Sequence, residues 1–175
     1  MGNRSSDRRI SLGLLGKPFG LKGHLYLRYY GNNHKGLVDF KQIFISGQKS
    51  SFSIEKSIIH KGKTIVKFEG VDDRNASEKY KGKEIFVLEK HLPPLHQDEY
   101  YWYQLKDLKV INEEQEILGT IDHVMETGAD DVLVVKPSRL SIDQEQRLIP
   151  FSTKEVVKKV DLGKMLLYVK WPKHY

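Results

Sequence analysis

The stretch HLPPLHQDEYYWYQL, His91 to Leu105, lies just past the middle of the chain, and the reading of the rest follows from it. Pro93 and Pro94 fix φ and offer no backbone N–H to a ladder, which makes this a poor place for a central strand. Leu92 and Pro93 each precede a proline and are held towards extended backbone. A stiff, extended segment that runs into a dense aromatic run has the character of a linker entering a second domain. The expected organisation is a disordered tail over residues 1–9, a first domain over 10–91, a linker over 92–98 and a second domain over 99–175.

Length agrees with that division. The 175 residues are long for one small domain and sufficient for two of about 80. Domains of that size sit near the lower limit for a self-sufficient core, which favours compact β-barrels over open sheets. With 39% hydrophobic and 30% charged residues the composition is that of an ordinary globular protein. No apolar run approaches the ~18 residues of a transmembrane helix, so no membrane association is expected. The N-terminal MGNRSSDRRI lacks the apolar core of a secretory signal. Met1-Gly2 with Ser6 fits the myristoylation pattern, but that pattern is short and frequent by chance. The chain has no cysteine, which excludes disulfides, thiolate zinc sites and thiol nucleophiles. A cytosolic location fits.

Charge is unevenly spread. Residues 1–92 carry 18 Lys and Arg against 9 Asp and Glu, a net +9, whereas residues 93–175 carry 11 against 14, a net −3. A basic half joined to a mildly acidic one suits a first domain facing a polyanion and a second facing something else. Scattered, solvated lysines would give the same count.

Within the first half, ISLGLLG and HLYLRYY read as strands joined by the glycine-rich, basic KPFGLKG. In the second of these, Leu25, Leu27 and Tyr29 share one face, and His24, Tyr26, Arg28 and Tyr30 the other. QIFIS, SFSIEKSII, TIVKFEG and EIFVL add four strands, six in all. One short helix precedes the last of them, capped by Asp72 or Asp73 and closed by Gly82, with Ala76 and Tyr80 four apart on one face. Six strands and one short helix in so few residues indicate a barrel. The second half repeats the style in LKVIN, EILGTIDHVME, DDVLVVK, RLIPF, EVVKKVDL and KMLLYVK. There Val132 to Val135 is continuously apolar, as in a strand buried on both faces.

Catalytic signatures are absent from the sequence. GLLGKPFGLKG contains no phosphate-binding glycine motif and leads into a strand rather than a helix. A loop bringing Lys17, Lys22 and Arg28 to an RNA backbone is chemically sensible, although a tight turn with solvated lysines accounts for the same residues. The seven histidines show no metal-ligand spacing, so no metal and no cofactor is expected. The carboxylate pairs Asp72–Asp73, Asp98–Glu99, Glu113–Glu114 and Asp130–Asp131 fall in turns or caps without a partner base. The chain is not expected to be an enzyme. What remains is Tyr100, Tyr101, Trp102 and Tyr103. Read as extended, these residues alternate, so that one pair enters the core while the other reaches an interface between domains or a partner surface. Burial of both pairs between the domains is the alternative.

These residues carry a resemblance. The stretches GKPFGLKGHLYL, VKFEGVDDRNASEKYKGKEIFV, LPPLHQDEYYWYQLKDLKV, ILGTIDHVMETGADDVLVV and RLIPFSTKEVVKKVDLGKMLLYV occur in the order and at the spacing of RimM, the bacterial maturation factor of the small ribosomal subunit. They span Gly16 to Val169 and cover more than half of the chain. The resemblance implies a mainly β protein of two small barrels. The N-terminal one would be six-stranded and similar to a translation-factor domain, and the C-terminal one a PRC-type barrel, the two joined by the proline-containing linker. It also implies a monomeric, cytoplasmic, non-catalytic assembly chaperone that binds the small subunit and contacts rRNA. Such a chaperone assists maturation of the subunit head and processing of 16S rRNA. The implied protein partner is ribosomal protein nineteen of the head, met through Tyr100 and Tyr101 with Trp102 beside them. A general RNA-binding module without a protein partner is the competing expectation. The chain departs from the family pattern at Phe19, where a His often follows the proline, and at Gln104 and Asp107, where Asp and Gly are common. Asp130 replaces a more usual Asn in a turn.

Overall fold

The computed structural model describes residues 8–93, 99–127, 130–151 and 155–175. Most of the expected tail, and the linker from Pro94 to Asp98 with His96, lie outside the described residues. The chain divides into two compact units, one up to Tyr100 and one from Tyr101.

The N-terminal unit is a seven-stranded sheet around an apolar interior. Its strands are β1 (Arg9–Phe19), β2 (His24–Tyr29), β3 (Ile43–Ile45), β4 (Ser51–Phe52), β5 (Ile54–His60), β6 (Lys63–Phe68) and β7 (Glu84–Leu88), ordered β4-β3-β7-β1-β2-β6-β5. The single strand expected over Ser51–Ile59 is broken at Ser53. Its first half pairs with β3 and its second with β6, at opposite ends of the order. Two edges separated by one residue can exist only if the sheet curls until they meet, and Ser53 is the corner. The Glu69 backbone N–H reaches across to the Ser53 carbonyl at 2.9 Å. The expected inward set of β2 is found: Leu25, Leu27 and Tyr29 are buried, as are Leu12, Leu15, Ile65, Phe68 and Ile85.

Two local expectations differ. β1 does not stop at Gly16 but continues to Phe19, with a bulge between Leu15 and Pro18 where the register against β2 shifts. The bulge skips Gly16 and Lys17, and pairing resumes at Pro18, opposite Leu25, so Lys17 belongs to a strand rather than a loop. The helix α1 (Arg74–Glu78) is capped by Asp73, whose Oδ1 accepts the Ala76 N–H at 2.7 Å. Tyr80 lies beyond its end and packs its ring edge-on to Phe52 at 5.5 Å instead of sharing a face with Ala76. Gly23 is required at the entry to β2, because a Cβ there would stand 1.9 Å from the Val71 carbonyl oxygen.

The C-terminal unit opens with a one-turn helix α2 (Trp102–Leu105) and continues into a six-stranded sheet. The strands are β8 (Lys109–Ile111), β9 (Ile117–Glu126), β10 (Asp131–Lys136), β11 (Arg147–Pro150), β12 (Val157–Asp161) and β13 (Leu166–Val169), ordered β11-β10-β9-β8-β13-β12. Again the two edge strands are neighbours in sequence. β8 and β13 pair in parallel, Val110 opposite Leu167, and the remaining pairs are antiparallel. Val132 to Val135 falls in β10, with Leu133, Val134 and Val135 buried. Gly119 admits the close crossing of β9 and β10, since a Cβ there would lie 2.2 Å from the Lys136 carbonyl oxygen.

Each unit also encloses one cation. Lys67 Nζ donates to Glu55 Oε2 at 2.8 Å, Asp72 Oδ1 at 2.9 Å and the Phe68 carbonyl at 3.1 Å, and the Glu55 contact leads in raising its pKa. Arg147 forks onto Asp143 at 2.6 and 3.0 Å, and donates to the carbonyls of Leu118 at 3.3 Å, Glu145 at 3.2 Å and Lys173 at 2.7 Å. The guanidinium, helped by the Glu145 N–H, holds the Asp143 carboxyl down to about 2 from an ordinary 3.8. A carboxyl whose pKa is lower folded than unfolded contributes stability in full above about 3.8, and loses it as pH falls through about 2. Urea midpoints followed from pH 5 to pH 2 should therefore fall less steeply in Asp143→Asn than in wild type. Parallel acid limbs would show that the pair does not contribute in this way.

Candidate functional site

The four aromatics are not extended. Tyr101 is the N-cap of α2, with β-region backbone, and Trp102 and Tyr103 lie in the helical turn, so the alternation expected of a strand does not apply. Gln104 explains the change. Standing three residues after the cap, its Oε1 accepts the Tyr101 N–H at 3.0 Å, the side-chain half of a capping box. The departure at Gln104 thus preserves the local turn. At Asp107 the backbone has φ +68°, a left-handed conformation that Asp tolerates better than most residues and Gly better still. Its N–H donates to the Ile121 carbonyl at 2.8 Å, which ties the end of this turn to β9.

The turn gives the aromatic side chains unequal surroundings. Tyr101 is 3% exposed and stacks on Tyr103 with ring centroids 6.2 Å apart, and Leu105 and Leu108, which follow in the chain, are fully buried. Tyr100, Trp102 and Tyr103 are half-buried. The Tyr100 backbone N–H donates to Asn32 Oδ1 at 2.7 Å, within the N-terminal unit. Tyr101 is thus a packing residue, and exposed ring area in this segment comes from its neighbours.

The three basic residues singled out in the sequence belong to the β1–β2 hairpin. Lys17 is in the β1 bulge, Lys22 in the turn at its tip, and Arg28 on the outward face of β2, two residues from Tyr26. All three are exposed. Lys17 Nζ stands 5.9 Å from the centroid of the Tyr26 ring, and Lys63 Nζ, from β6, stands 5.7 Å from it. Lys63 was not legible as a member because the pairing of β2 with β6 is long-range. Tyr26 was legible, since the alternation in HLYLRYY already placed it outward. The local field is positive. Partial burial, then Lys56 and Lys67, push the His24 imidazole below its ordinary 6.5, with Lys22 adding to them against the opposing pull of Glu55. Among the described residues no group of three or more His, Asp or Glu side chains could hold a metal ion. Nor is any helix among the described residues long and apolar enough to cross a membrane.

Fold and surface together define a two-domain, mainly β protein whose distinctive outward side chains are aromatic and basic. Comparison with known proteins gives that class a family. The RimM N-terminal domain matches residues 10–92, and the RimM PRC barrel domain matches residues 102–175. The ribosome maturation factor RimM of Marinobacter nauticus is 35% identical over 168 residues, covering 95% of this chain and 96% of its own. That of Pseudomonas entomophila is 36% identical over 174 residues, covering 97% of each chain. Among solved structures, a 16S ribosomal RNA processing protein RimM from Pseudomonas aeruginosa aligns at 30% identity with a TM-score of 0.46, over 96% of this chain and 100% of its own. The chain belongs to the RimM family of ribosome maturation factors.

Proposed function

We propose that this protein is an assembly factor that binds the immature small ribosomal subunit, assists maturation of its head and supports processing of 16S rRNA. The observation that carries the reading is family membership across both halves of the chain, with relatives named ribosome maturation factor aligned over nearly their whole length. Its action is binding, not catalysis: a protein that prefers one assembly state over another shifts the population towards it. The basic N-terminal barrel supplies salt-dependent attraction to rRNA through Lys17, Lys22 and Arg28. The acidic-leaning C-terminal half suits a basic ribosomal protein, for which the reading takes number nineteen of the head. Tyr100 and Trp102 are the rings available to it, and Tyr101 acts by holding the helical turn that presents Trp102. The protein works as a monomer in the cytoplasm and needs no cofactor.

Co-sedimentation with small subunits tests the reading. Immature subunits should retain the protein at salt concentrations where mature subunits release it. Equal retention by both, or by neither, would remove the basis for an assembly role.

A further inference from the structure

The N-terminal barrel carries an aromatic cluster that its core does not use. Phe19 closes β1, Tyr26 faces outward from β2, and His60 ends β5. Phe19 meets Tyr26 nearly edge-on at 5.5 Å and tilts against His60 at 5.2 Å. The inward positions of the same strands are filled by Leu12, Leu15, Leu25, Leu27 and Ile54, so none of the three rings is needed to close the interior. Phe19 and Tyr26 are half-buried and His60 is exposed. Gly16 makes room for the arrangement, because even a methyl group there would come within 3.2 Å of Tyr26 Cβ.

Cations stand around these rings. Lys17 and Lys63 hold their ammonium groups 5.9 and 5.7 Å from the Tyr26 centroid, within cation–π range. Lys61, in the β5–β6 turn, adds a third exposed lysine. Among the described residues, no ion pair uses Lys17, Lys61 or Lys63. Three accessible rings from three strands, rimmed by cations without carboxylate partners, match what an unpaired nucleotide offers: a π face to stack and a phosphate to neutralise. A duplex conceals its base faces, and an acidic peptide would engage the lysines but leave the rings unused.

We propose that Phe19, Tyr26 and His60 form a stacking platform for unpaired nucleotides of rRNA, with Lys17 and Lys63 holding the adjoining phosphates. This inference rests on the RNA-binding reading of the basic half and narrows it to single-stranded segments. It also gives Phe19 a use: its phenyl ring offers a face on which a base can stack.

Fluorescence anisotropy with the full chain tests the platform, using fluorescein-labelled decauridylate and a labelled twelve-base-pair RNA duplex across a series of KCl concentrations. The single strand should bind more tightly than the duplex. Phe19→Ala should weaken single-strand binding about tenfold while leaving the salt slope unchanged. Lys17→Gln with Lys63→Gln should reduce the slope of log K against log salt by about 1.4. Tyr26→Leu, which keeps a large apolar residue on the strand, should repeat the Phe19 effect, so a misfolded alanine variant does not leave the question open. Duplex binding equal to single-strand binding, or ring variants within twofold of wild type, would overturn the platform alone. Competition by hexaglutamate as strong as by the RNA would assign the face to an acidic protein instead. Failure of the wild type to bind either RNA would overturn the RNA reading of the basic half and the platform with it.

Discussion

Tyr101→Ala is expected to lower the stability of the C-terminal barrel by about 3 kcal/mol, whereas Tyr100→Ala changes it by about 1 kcal/mol or less. The difference follows from burial and position. Tyr101 is 3% exposed, stacks on Tyr103 and caps the turn that leads to the buried Leu105 and Leu108. Truncation there leaves a cavity the size of a ring at the base of the helix. Tyr100 is half-buried, and its backbone bond to Asn32 survives the loss of its side chain. Both tryptophans of the chain, Trp102 and Trp171, lie in the C-terminal unit, so tryptophan fluorescence during urea unfolding reports on that unit alone. Equal midpoints for the two variants would mean that Tyr101 does not pack as described. The adjacent tyrosines are thus not interchangeable, and a double alanine variant would confuse lost contact with lost fold.

A loss of similar size, about 3 kcal/mol, is expected for Arg147→Ala. The guanidinium has a side-chain exposure of 1% and joins the Asp143 loop, β9 at Leu118 and the terminal segment at Lys173. Its removal leaves three carbonyls short of a donor and a partly buried carboxylate without its counter-charge. In a double-mutant cycle, Asp143→Ala added to Arg147→Ala should cost much less than the sum of the two single changes, because the aspartate acts mainly through the arginine. Additive costs would show that Arg147 works through its backbone contacts alone. The same arginine is the residue most easily passed over in the sequence, where RLIPF reads as an exposed charge starting a short strand.

The contrast between these residues shows where sequence patterns carry information. Alternation in HLYLRYY separates inward Leu25, Leu27 and Tyr29 from outward Tyr26 and Arg28, because a strand with one buried face leaves a period-two record. The Asp73 cap is legible because its chemistry is local, one side-chain oxygen meeting an N–H three residues on. Local chemistry also existed for Tyr101, in Gln104, but a tyrosine at the cap lacks the usual Ser, Thr or Asp, and four aromatics in a row suggest a strand. The break at Ser53 left no mark, since the turn it makes is imposed by closure of the sheet rather than by glycine or proline. Buried Lys67 and Arg147 were equally hidden. A cation reads as surface until its partners are known, and the arginine's partners come from three separate segments. The aromatic platform divides in the same way, with Tyr26 and Lys17 visible from hairpin periodicity, and His60 and Lys63 brought in by strand pairing.

The central claim, that the aromatic entry to the C-terminal barrel recognises a protein of the small-subunit head, has a direct measurement. Purified full-length protein is titrated against isolated ribosomal protein nineteen of that subunit by calorimetry, comparing wild type with Tyr100→Ala/Trp102→Ala, and circular dichroism is recorded on both. Anchoring aromatics of this kind cost about 2 kcal/mol or more when truncated, roughly a thirtyfold loss of affinity. A folded variant whose affinity falls by at least that factor is the expected result. A folded variant that binds as tightly as wild type would contradict the claim.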